Sequence, residues 1–449
     1  MINKRILLLL IFFVLLNNCS FDNKTGIWGD SAKEKKRISE LEKEQKEIIK
    51  IEKIYTSDSQ FNKEVTLTKN IVLSKPQNKS SWIMSNSNHQ NYLGNIYLKG
   101  INSFLLKKKI GKDKFPGSKK ITSVLVFKNN MIFSDDKGTI FHVNEKGKII
   151  WKKNIYKKAY KKIYKNLVLS IYKGSIFVSD NIGFVYSMNL SNGEILWVRN
   201  YEVGTKSYIK IFDNKIFLIN EDNKIICLNV KDGSLIWNIF SIKSFIKSES
   251  LLSLALTKDG DLLAITSSAN IYKIKVENGD ILWSRNTAES LYSDATDFFV
   301  SSALVIDDDK LIFSSGNNTF LLKLEDGETV WKQEVSSVAT PIISGKNIFI
   351  VSENGYFVIM NKDTGEIISS RNILKILKRK KQKTKITDFI MGSNKIYSIT
   401  LNGFLISSSA TSGKAEFYKK IGGSNISPML INNGKLYILT EKSKILILN

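Results

Sequence analysis

A tandem repeat constrains the fold of this chain more than any other feature. Each strong copy joins an alternating apolar run to a turn glycine and then to a tryptophan four residues later. The five strong copies end at Trp151, Trp197, Trp237, Trp283 and Trp331. Two weaker copies have Gly365 and Gly413 as turn glycines, followed by Ser369 and Phe417 where Trp would stand. Successive turn glycines lie 38 to 48 residues apart, so the unit is too long for a hairpin and too regular for an unrelated series of loops.

Each unit contains four runs that are typical of strands. Residues 140–143 form an apolar run interrupted by His142, which is predicted to be a half-buried strand. The turn glycine admits the positive φ that a hairpin requires, and a second strand is predicted to end in Trp. Two further apolar runs lie upstream, for example 124–127 and 131–134. Four strands in 40 to 50 residues indicate a propeller blade, with each Trp packed between neighbouring blades.

The two ends of the repeat array complement each other. After the seventh unit, residues 428–431, 435–439 and 444–448 supply three strands, and residues 102–110 read as the missing outer strand. Pairing them leaves no open edge between the first and last blades. The prediction is an all-β fold: an eight-bladed β-propeller of four-stranded antiparallel blades, closed by an N-terminal strand paired with the C-terminal strands.

The N-terminus indicates export. Lys4 and Arg5 precede an apolar run at 6–16, which suits a signal peptide and is too short to span a bilayer as a helix. Leu16-Asn17-Asn18-Cys19 resembles the lipobox of bacterial lipoproteins, which implies a signal peptide at 1–18 and lipid on Cys19. Ordinary cleavage near Cys19 without lipid is the alternative. By the same resemblance, Ser20 after the cysteine implies sorting to the outer membrane.

Residues 19–80 differ in composition from the propeller predicted for 81–449. Residues 31–54 alternate Lys and Glu, with Ile38, Leu41 and Ile48 at partly helical spacing. A charged tether, a surface helix and a partner-binding helix all fit this pattern.

The formal net charge is +25, and only six of the 67 basic residues are arginine. Proteins that read nucleic acid rely on the planar guanidinium, so no nucleic-acid partner is predicted. A basic cluster lies between the sixth and seventh units, and it fits either a solvated loop or a contact with anionic lipid or an acidic partner. Its members are Lys375, Lys378, Arg379, Lys380, Lys381, Lys383 and Lys385.

Residues suited to catalysis are sparse. The histidines are His89 and His142, at unrelated repeat positions, and Cys227 lies in an apolar run that predicts a buried thiol. Asp307, Asp308 and Asp309 fall in a predicted hairpin turn, where Asp is favoured for local hydrogen bonding. No catalytic residue, metal site or cofactor is therefore predicted, and the protein is expected not to be an enzyme.

The Gly and Trp pattern resembles the PQQ-like propeller repeat over roughly residues 82–449. Together with the lipobox, it makes the chain similar to the BamB family, lipoproteins of the outer-membrane β-barrel assembly machinery. Trp82 and residues 86–91 resemble the segment that precedes the propeller in that family. Residues 36–41 resemble the R-I-x-x-L segment of its alphaproteobacterial members. The resemblance implies a scaffold on the periplasmic face of the outer membrane.

In that family, loops on one side of the propeller bind the periplasmic domains of the barrel-inserting, BamA-like subunit. Residues 246–250 resemble its L-R-G-E-S loop and residues 293–297 its S-D-x-x-D loop. An apolar pair flanked by lysines also suits an interface. The predicted partner-binding residues are Phe245, Ile246, Lys247, Glu249, Ser250, Asp294 and Asp297. Alternatively, these loops only connect blades.

Two other functions remain open from the sequence. A PQQ-dependent quinoprotein dehydrogenase would need clustered oxygen ligands for Ca²⁺ and a general-base carboxylate. A cell-envelope lipoprotein that binds glycan would need neither.

Overall fold

The computed structural model describes residues 36–43, 61–115, 122, 124–241, 248, 250–288, 299–378, 383–423 and 426–449. In these residues, thirty-two strands form eight four-stranded antiparallel sheets arranged in a ring. The predicted eight-bladed β-propeller is confirmed. Within the described ranges, no helix has the length and apolar character needed to cross a membrane.

The strands are short and follow one another through the chain. In order they are β1 (Phe104–Lys109), β2 (Leu125–Phe127), β3 (Asn130–Ser134), β4 (Thr139–Asn144), β5 (Ile149–Asn154), β6 (Leu167–Tyr172), β7 (Ser175–Asp180), β8 (Phe184–Asn189), β9 (Ile195–Asn200), β10 (Lys210–Phe212), β11 (Lys215–Ile219), β12 (Lys224–Asn229), β13 (Leu235–Phe240), β14 (Leu254–Leu256), β15 (Leu262–Ile265), β16 (Asn270–Ile274), β17 (Ile281–Asn286), β18 (Val305–Asp307), β19 (Lys310–Ser315), β20 (Asn318–Lys323), β21 (Thr329–Gln333), β22 (Ile342–Ser344), β23 (Asn347–Val351), β24 (Tyr356–Asn361), β25 (Ile367–Asn372), β26 (Ile386–Gly392), β27 (Lys395–Thr400), β28 (Phe404–Ser409), β29 (Ala415–Lys420), β30 (Leu430–Asn432), β31 (Lys435–Leu439) and β32 (Lys444–Leu448). Two 3₁₀ helices lie at Lys158–Lys162 and Ile373–Ile376, and residues 36–43 are α-helical.

Blades 1 to 7 each use four consecutive strands, beginning with β2, β6, β10, β14, β18, β22 and β26. Blade 8 is composite, with the order β1-β32-β31-β30. In it, Lys107 of β1 pairs with Leu446 of β32, and the Ser103 N–H donates to the Asn449 carbonyl at 3.0 Å. The predicted closure through the two ends of the chain is confirmed.

The antiparallel order gives the ring two different faces. The turns between first and second strands, and those between third and fourth strands, lie on one side, called here the turn face. The turns between second and third strands lie on the other side with the loops that join blades, called here the loop face. The first three strands of each blade are mostly buried, and the fourth is the most exposed. The apolar cores therefore lie between blades.

The repeated tryptophans connect neighbouring blades. Each indole donates to the carbonyl three residues before the turn glycine of the next blade, at 2.9 to 3.1 Å. The pairs are Trp151 with Leu190, Trp197 with Val230, Trp237 with Val276, Trp283 with Leu324 and Trp331 with Lys362. The predicted packing between blades is confirmed.

The expectation that the outer strand ends in Trp is wrong. Strand β9 continues three residues past Trp197, because its ladder with β8 extends to the pair Phe184–Asn200.

Residues 82–98, called here the plug, lie against the inner strands at the turn face. The backbone N–H of Trp82 donates to the Val126 carbonyl of blade 1 at 2.7 Å. The backbone N–H of Leu256 in blade 4 donates to the His89 carbonyl at 3.0 Å. The Ile96 carbonyl accepts from Ser393, after the first strand of blade 7, at 2.8 Å. The plug thus touches the inner strands around the ring.

Residues 61–79 also lie against the propeller. Val65 and Ser370 exchange two backbone hydrogen bonds at the outer edge of blade 6, at 3.0 and 2.9 Å. The Asn433 N–H of blade 8 donates to the Lys79 carbonyl at 2.7 Å. The division of the chain into a tether and a propeller at residue 80 stays a prediction.

Candidate partner-binding surface

The two loops that the sequence predicts to bind a partner begin from one place on the loop face. Ser248, in the loop between blades 3 and 4, forms a parallel bridge with Phe299, in the loop between blades 4 and 5. The Ser250 hydroxyl donates to the Ser301 carbonyl at 3.3 Å. Two loops separated in sequence by a whole blade therefore have adjoining bases.

Of the predicted partner-binding residues, Ser250 lies within the described ranges, and it is half-buried at the base of its loop. The other six lie outside the described residues: Phe245, Ile246, Lys247, Glu249, Asp294 and Asp297. Their role in binding stays a prediction. Cys19 also lies outside the described residues.

Packing against the blades fixes the bases of both loops. Leu252 exchanges two backbone hydrogen bonds with the segment before β10, accepting from Tyr208 at 3.3 Å and donating to Lys206 at 2.7 Å. Phe299 packs between the cores on either side of blade 4. A rigid base of this kind positions loop residues for recognition.

Phe240 is a surface residue that the sequence interpretation missed. It is the last residue of β13, immediately before the loop between blades 3 and 4, and 75% of its surface is exposed. The Lys224 ammonium lies 4.4 Å from its ring centroid. The alternation from Trp237 along β13 could have revealed it, because residue 240 must point to the side opposite Trp237. An exposed aromatic ring beside a cation suits an interface.

The described members of the basic cluster at 375–385 lie on the same face, between blades 6 and 7. Lys375 forms an ion pair with Glu64 at 2.9 Å, and Lys385 pairs with Glu353 at 3.0 Å. Lys378 and Lys383 are exposed. The remaining members, Arg379, Lys380 and Lys381, lie outside the described residues. Two of the four described cations therefore have acidic neighbours, and lipid contact stays a prediction.

Asp388 lies on β26, the inner strand of blade 7. Its carboxylate accepts from the Met429 N–H at 2.6 Å, and burial raises the pKa of this carboxyl to about 7. Burial, together with the negative charge of Asp388, raises the pKa of the Tyr208 phenol in blade 3 to about 12.

The other residues singled out from the sequence are either buried in the propeller or paired in its turns. Cys227 is fully buried, as predicted, and burial raises the pKa of its thiol to about 12. Asp308 stands in the hairpin turn between β18 and β19 and pairs with Lys258 at 3.1 Å. His142 is buried on β4, with its ring 5.5 Å from that of Trp151. Across the described ranges, no group of three or more His, Cys, Asp or Glu residues is placed to hold a metal ion.

Solved structures show how widespread this architecture is. BamB from Moraxella catarrhalis superposes with a TM-score of 0.64 and 15% identity, over 77% of this chain and 98% of that one. A quinohemoprotein alcohol dehydrogenase from Comamonas testosteroni superposes with a TM-score of 0.62 and 9% identity, over 82% of this chain and 80% of that one. At such low identities these likenesses show the fold alone, which hosts both enzymes and scaffolds.

Sequence comparison is more specific. Outer membrane protein assembly factor BamB of Shewanella oneidensis is 26% identical over 229 residues, which is 46% of this chain and 56% of that protein. BamB of Moranella endobia is 19% identical over 296 residues, or 63% of each chain. The chain therefore spans less than two thirds of the length of either relative. The sequence profile of the family described as outer membrane protein assembly factor BamB matches residues 136–371, just over half of the chain. On this match, the chain belongs to the BamB family.

Proposed function

We propose that this protein is a non-enzymatic scaffold lipoprotein of the outer-membrane β-barrel assembly machinery. It binds the periplasmic part of the barrel-inserting, BamA-like subunit through the loop face of blades 3 to 5. A lipid on Cys19 holds it at the periplasmic face of the outer membrane. The name shared by its relatives supports the assembly role, and the lipobox supports the anchor.

The observation that carries the binding proposal is the junction of the two loops. Ser248 with Phe299, and Ser250 with Ser301, bring the bases of both loops to one place. Phe240 adds an exposed aromatic ring at the end of β13, the strand that leads into the first of these loops. A buried aromatic anchor surrounded by charged and polar residues is the usual centre of a protein–protein interface.

A binding measurement with the purified periplasmic domains of the barrel-inserting subunit tests this proposal. We expect Phe240→Glu, and separately Ile246→Asp, to weaken binding at least tenfold, because both place charge where an apolar contact forms. Phe417→Glu is the matched control, since Phe417 is 48% exposed on the outer strand of blade 7, away from the two loops. Equal binding by the wild type and all three variants would rule out this surface as the interface.

A further inference from the structure

A surface on blade 2 holds a short helix from the chain's own N-terminal part. In the helical segment 36–43, Arg37 and Leu41 are four residues apart and Ile38 and Leu41 are three apart, so the three side chains share one side of the helix. All three are half-buried, and Ile38 and Leu41 pack against the core between blades 1 and 2. The opposite side is exposed, with Lys36, Ser39, Glu40 and Lys43.

Arg37 makes the polar contacts of this helix. Its guanidinium carbon lies 5.9 Å from the centroid of the Phe184 ring, within the range of a cation–π contact. One guanidinium nitrogen donates to the Ile182 carbonyl, and the other donates to the Asn200 side-chain oxygen at 3.4 Å. The surface offers two hydrogen-bond acceptors and an aromatic ring. This combination favours arginine over lysine, because the planar guanidinium can lie over the ring and donate to both acceptors at once.

The surface that binds the helix is shaped by contacts within blade 2 and with the segment that precedes it. The Asp180 carboxylate accepts the N–H groups of Ile182, Gly183 and Phe184 at 2.9, 2.7 and 2.8 Å, which fixes the turn whose carbonyl meets Arg37. The Tyr160 ring, from the 3₁₀ helix between blades 1 and 2, packs edge-on against Phe184 at 5.6 Å. None of these contacts involves the helix, so the hydrogen bonds and ring contact that shape the surface come from the blades alone.

We propose that this surface of blade 2 is a binding site for an amphipathic helix in which arginine is followed by aliphatic residues one and four positions later. Residues 36–43 are its built-in and exchangeable ligand. The helix is exchangeable because its apolar side chains are only half-buried, so little apolar surface holds it to blade 2. A partner helix with the same pattern takes its place.

Replacement of the 36–43 helix by a partner helix changes how far the propeller can lie from the membrane. This consequence rests on the lipid anchor of the proposed function. Lys36 lies 17 residues after Cys19, a span of about 60 Å at full extension. Phe61, the first described residue after the helix, lies 42 residues after Cys19, a span of about 140 Å. Release of the helix therefore more than doubles the distance that the chain permits between the anchor and the nearest contact with the propeller among the described residues.

Binding of a peptide to the full-length chain tests the site. The double variant Arg37→Glu, Leu41→Asp leaves the site open, and the probe is a labelled peptide of residues 31–48. We expect this peptide to bind the double variant at least tenfold more tightly than the wild type, because the linked copy competes at an effective concentration of about 1 mM. A peptide with Glu40→Gln should bind equally well, and one with Arg37→Ala at least tenfold more weakly.

Variants on the receiving side complete the test. Phe184→Leu keeps an apolar side chain in the core but removes the aromatic face, and Asn200→Ala changes an exposed position, so both are expected to fold and to weaken binding. Equal binding to the wild type and the double variant, or full binding of the Arg37→Ala peptide, would overturn the proposal. Only this chain and its peptide are involved, so the result is independent of the assay with the barrel-inserting subunit.

Discussion

At the scale of single residues, the repeat is a contact between one tryptophan and one glycine on the next blade. Trp151 of blade 1 covers Gly193 of blade 2, where φ is +71° and an added Cβ would lie 2.7 Å from a ring carbon. The indole N–H then reaches the Leu190 carbonyl at 3.0 Å. Glycine is required twice here, first by the backbone conformation and then by the neighbouring ring. The same pair recurs at the four following junctions.

A matched pair of glycines separates these two requirements. Gly174 also lies in blade 2, with φ of +78°, but an added Cβ there would have no atom within 4 Å. We expect Gly174→Ala to lower the free energy of unfolding by about 1 kcal/mol, through backbone strain alone. Gly193→Ala should cost about 1–3 kcal/mol more, because it also displaces the Trp151 ring. Denaturant unfolding followed by tryptophan fluorescence measures both, and equal costs would contradict the junction described here.

At the scale of elements, one buried lysine binds the plug at three points. Lys210, at the start of β10, is fully buried, and its ammonium donates to the Ser85 and Asn88 carbonyls and the Asn91 side-chain oxygen, at 3.1, 2.6 and 2.7 Å. Burial lowers the pKa of this lysine from 10.5 to about 7. The amine thus connects an inner strand to three points of a segment that has no regular structure of its own.

Lys210→Met should destabilise the protein by roughly 2–3 kcal/mol, because three buried oxygens lose their donor. The effect should also depend on pH. Between pH 7 and pH 10.5 the unfolded chain binds the proton that the folded chain has released, so the free energy of unfolding of the wild type rises with pH. The variant lacks this contribution.

Chemical denaturation of both proteins at pH 6 and pH 9 measures this dependence. The difference in stability between wild type and variant should grow above pH 7, by up to about 1.4 kcal/mol per pH unit. The other lysines are common to both proteins and cancel in the comparison. A difference that stays constant with pH would show that the Lys210 amine keeps its ordinary pKa.

At the scale of the whole molecule, closure depends on β1. Leu106 packs against the core of blade 8 and lies near Gly147 of blade 1, in the place that Trp takes at five other junctions. Its neighbour Leu105 is 49% exposed, because side chains alternate along a strand. A single strand from the N-terminal part of the propeller therefore joins its last blade to its first.

Leu106→Asp should lower the free energy of unfolding by about 2–3 kcal/mol, because it places a carboxylate in an apolar junction. Leu105→Asp should change it by less than about 0.5 kcal/mol, since an exposed position tolerates charge. Thermal unfolding compares the two, and limited proteolysis should first cut the Leu106→Asp variant within residues 99–115. Similar melting temperatures for the two variants would mean that β1 does not close the ring.

The sequence by itself determined the blades, the turn glycines, the tryptophan junctions and the composite eighth blade. The blades, turn glycines and junctions recur at a fixed spacing, so a pattern of Gly and Trp is enough to reveal them, and a count of the strands at both ends of the array adds the eighth blade. The sequence also pointed to the loops around Ser250 and Asp294. Only the tertiary structure decided that the bases of those loops meet, that Phe240 is exposed at the end of β13 and that the Arg37 guanidinium lies over the Phe184 ring. The path of the plug belongs to the same group, because its partners lie in blades far apart in the chain and it has no periodicity to mark it. Contacts between distant segments that no repeat marks depend on how the whole chain packs, and no local pattern of residues encodes that geometry.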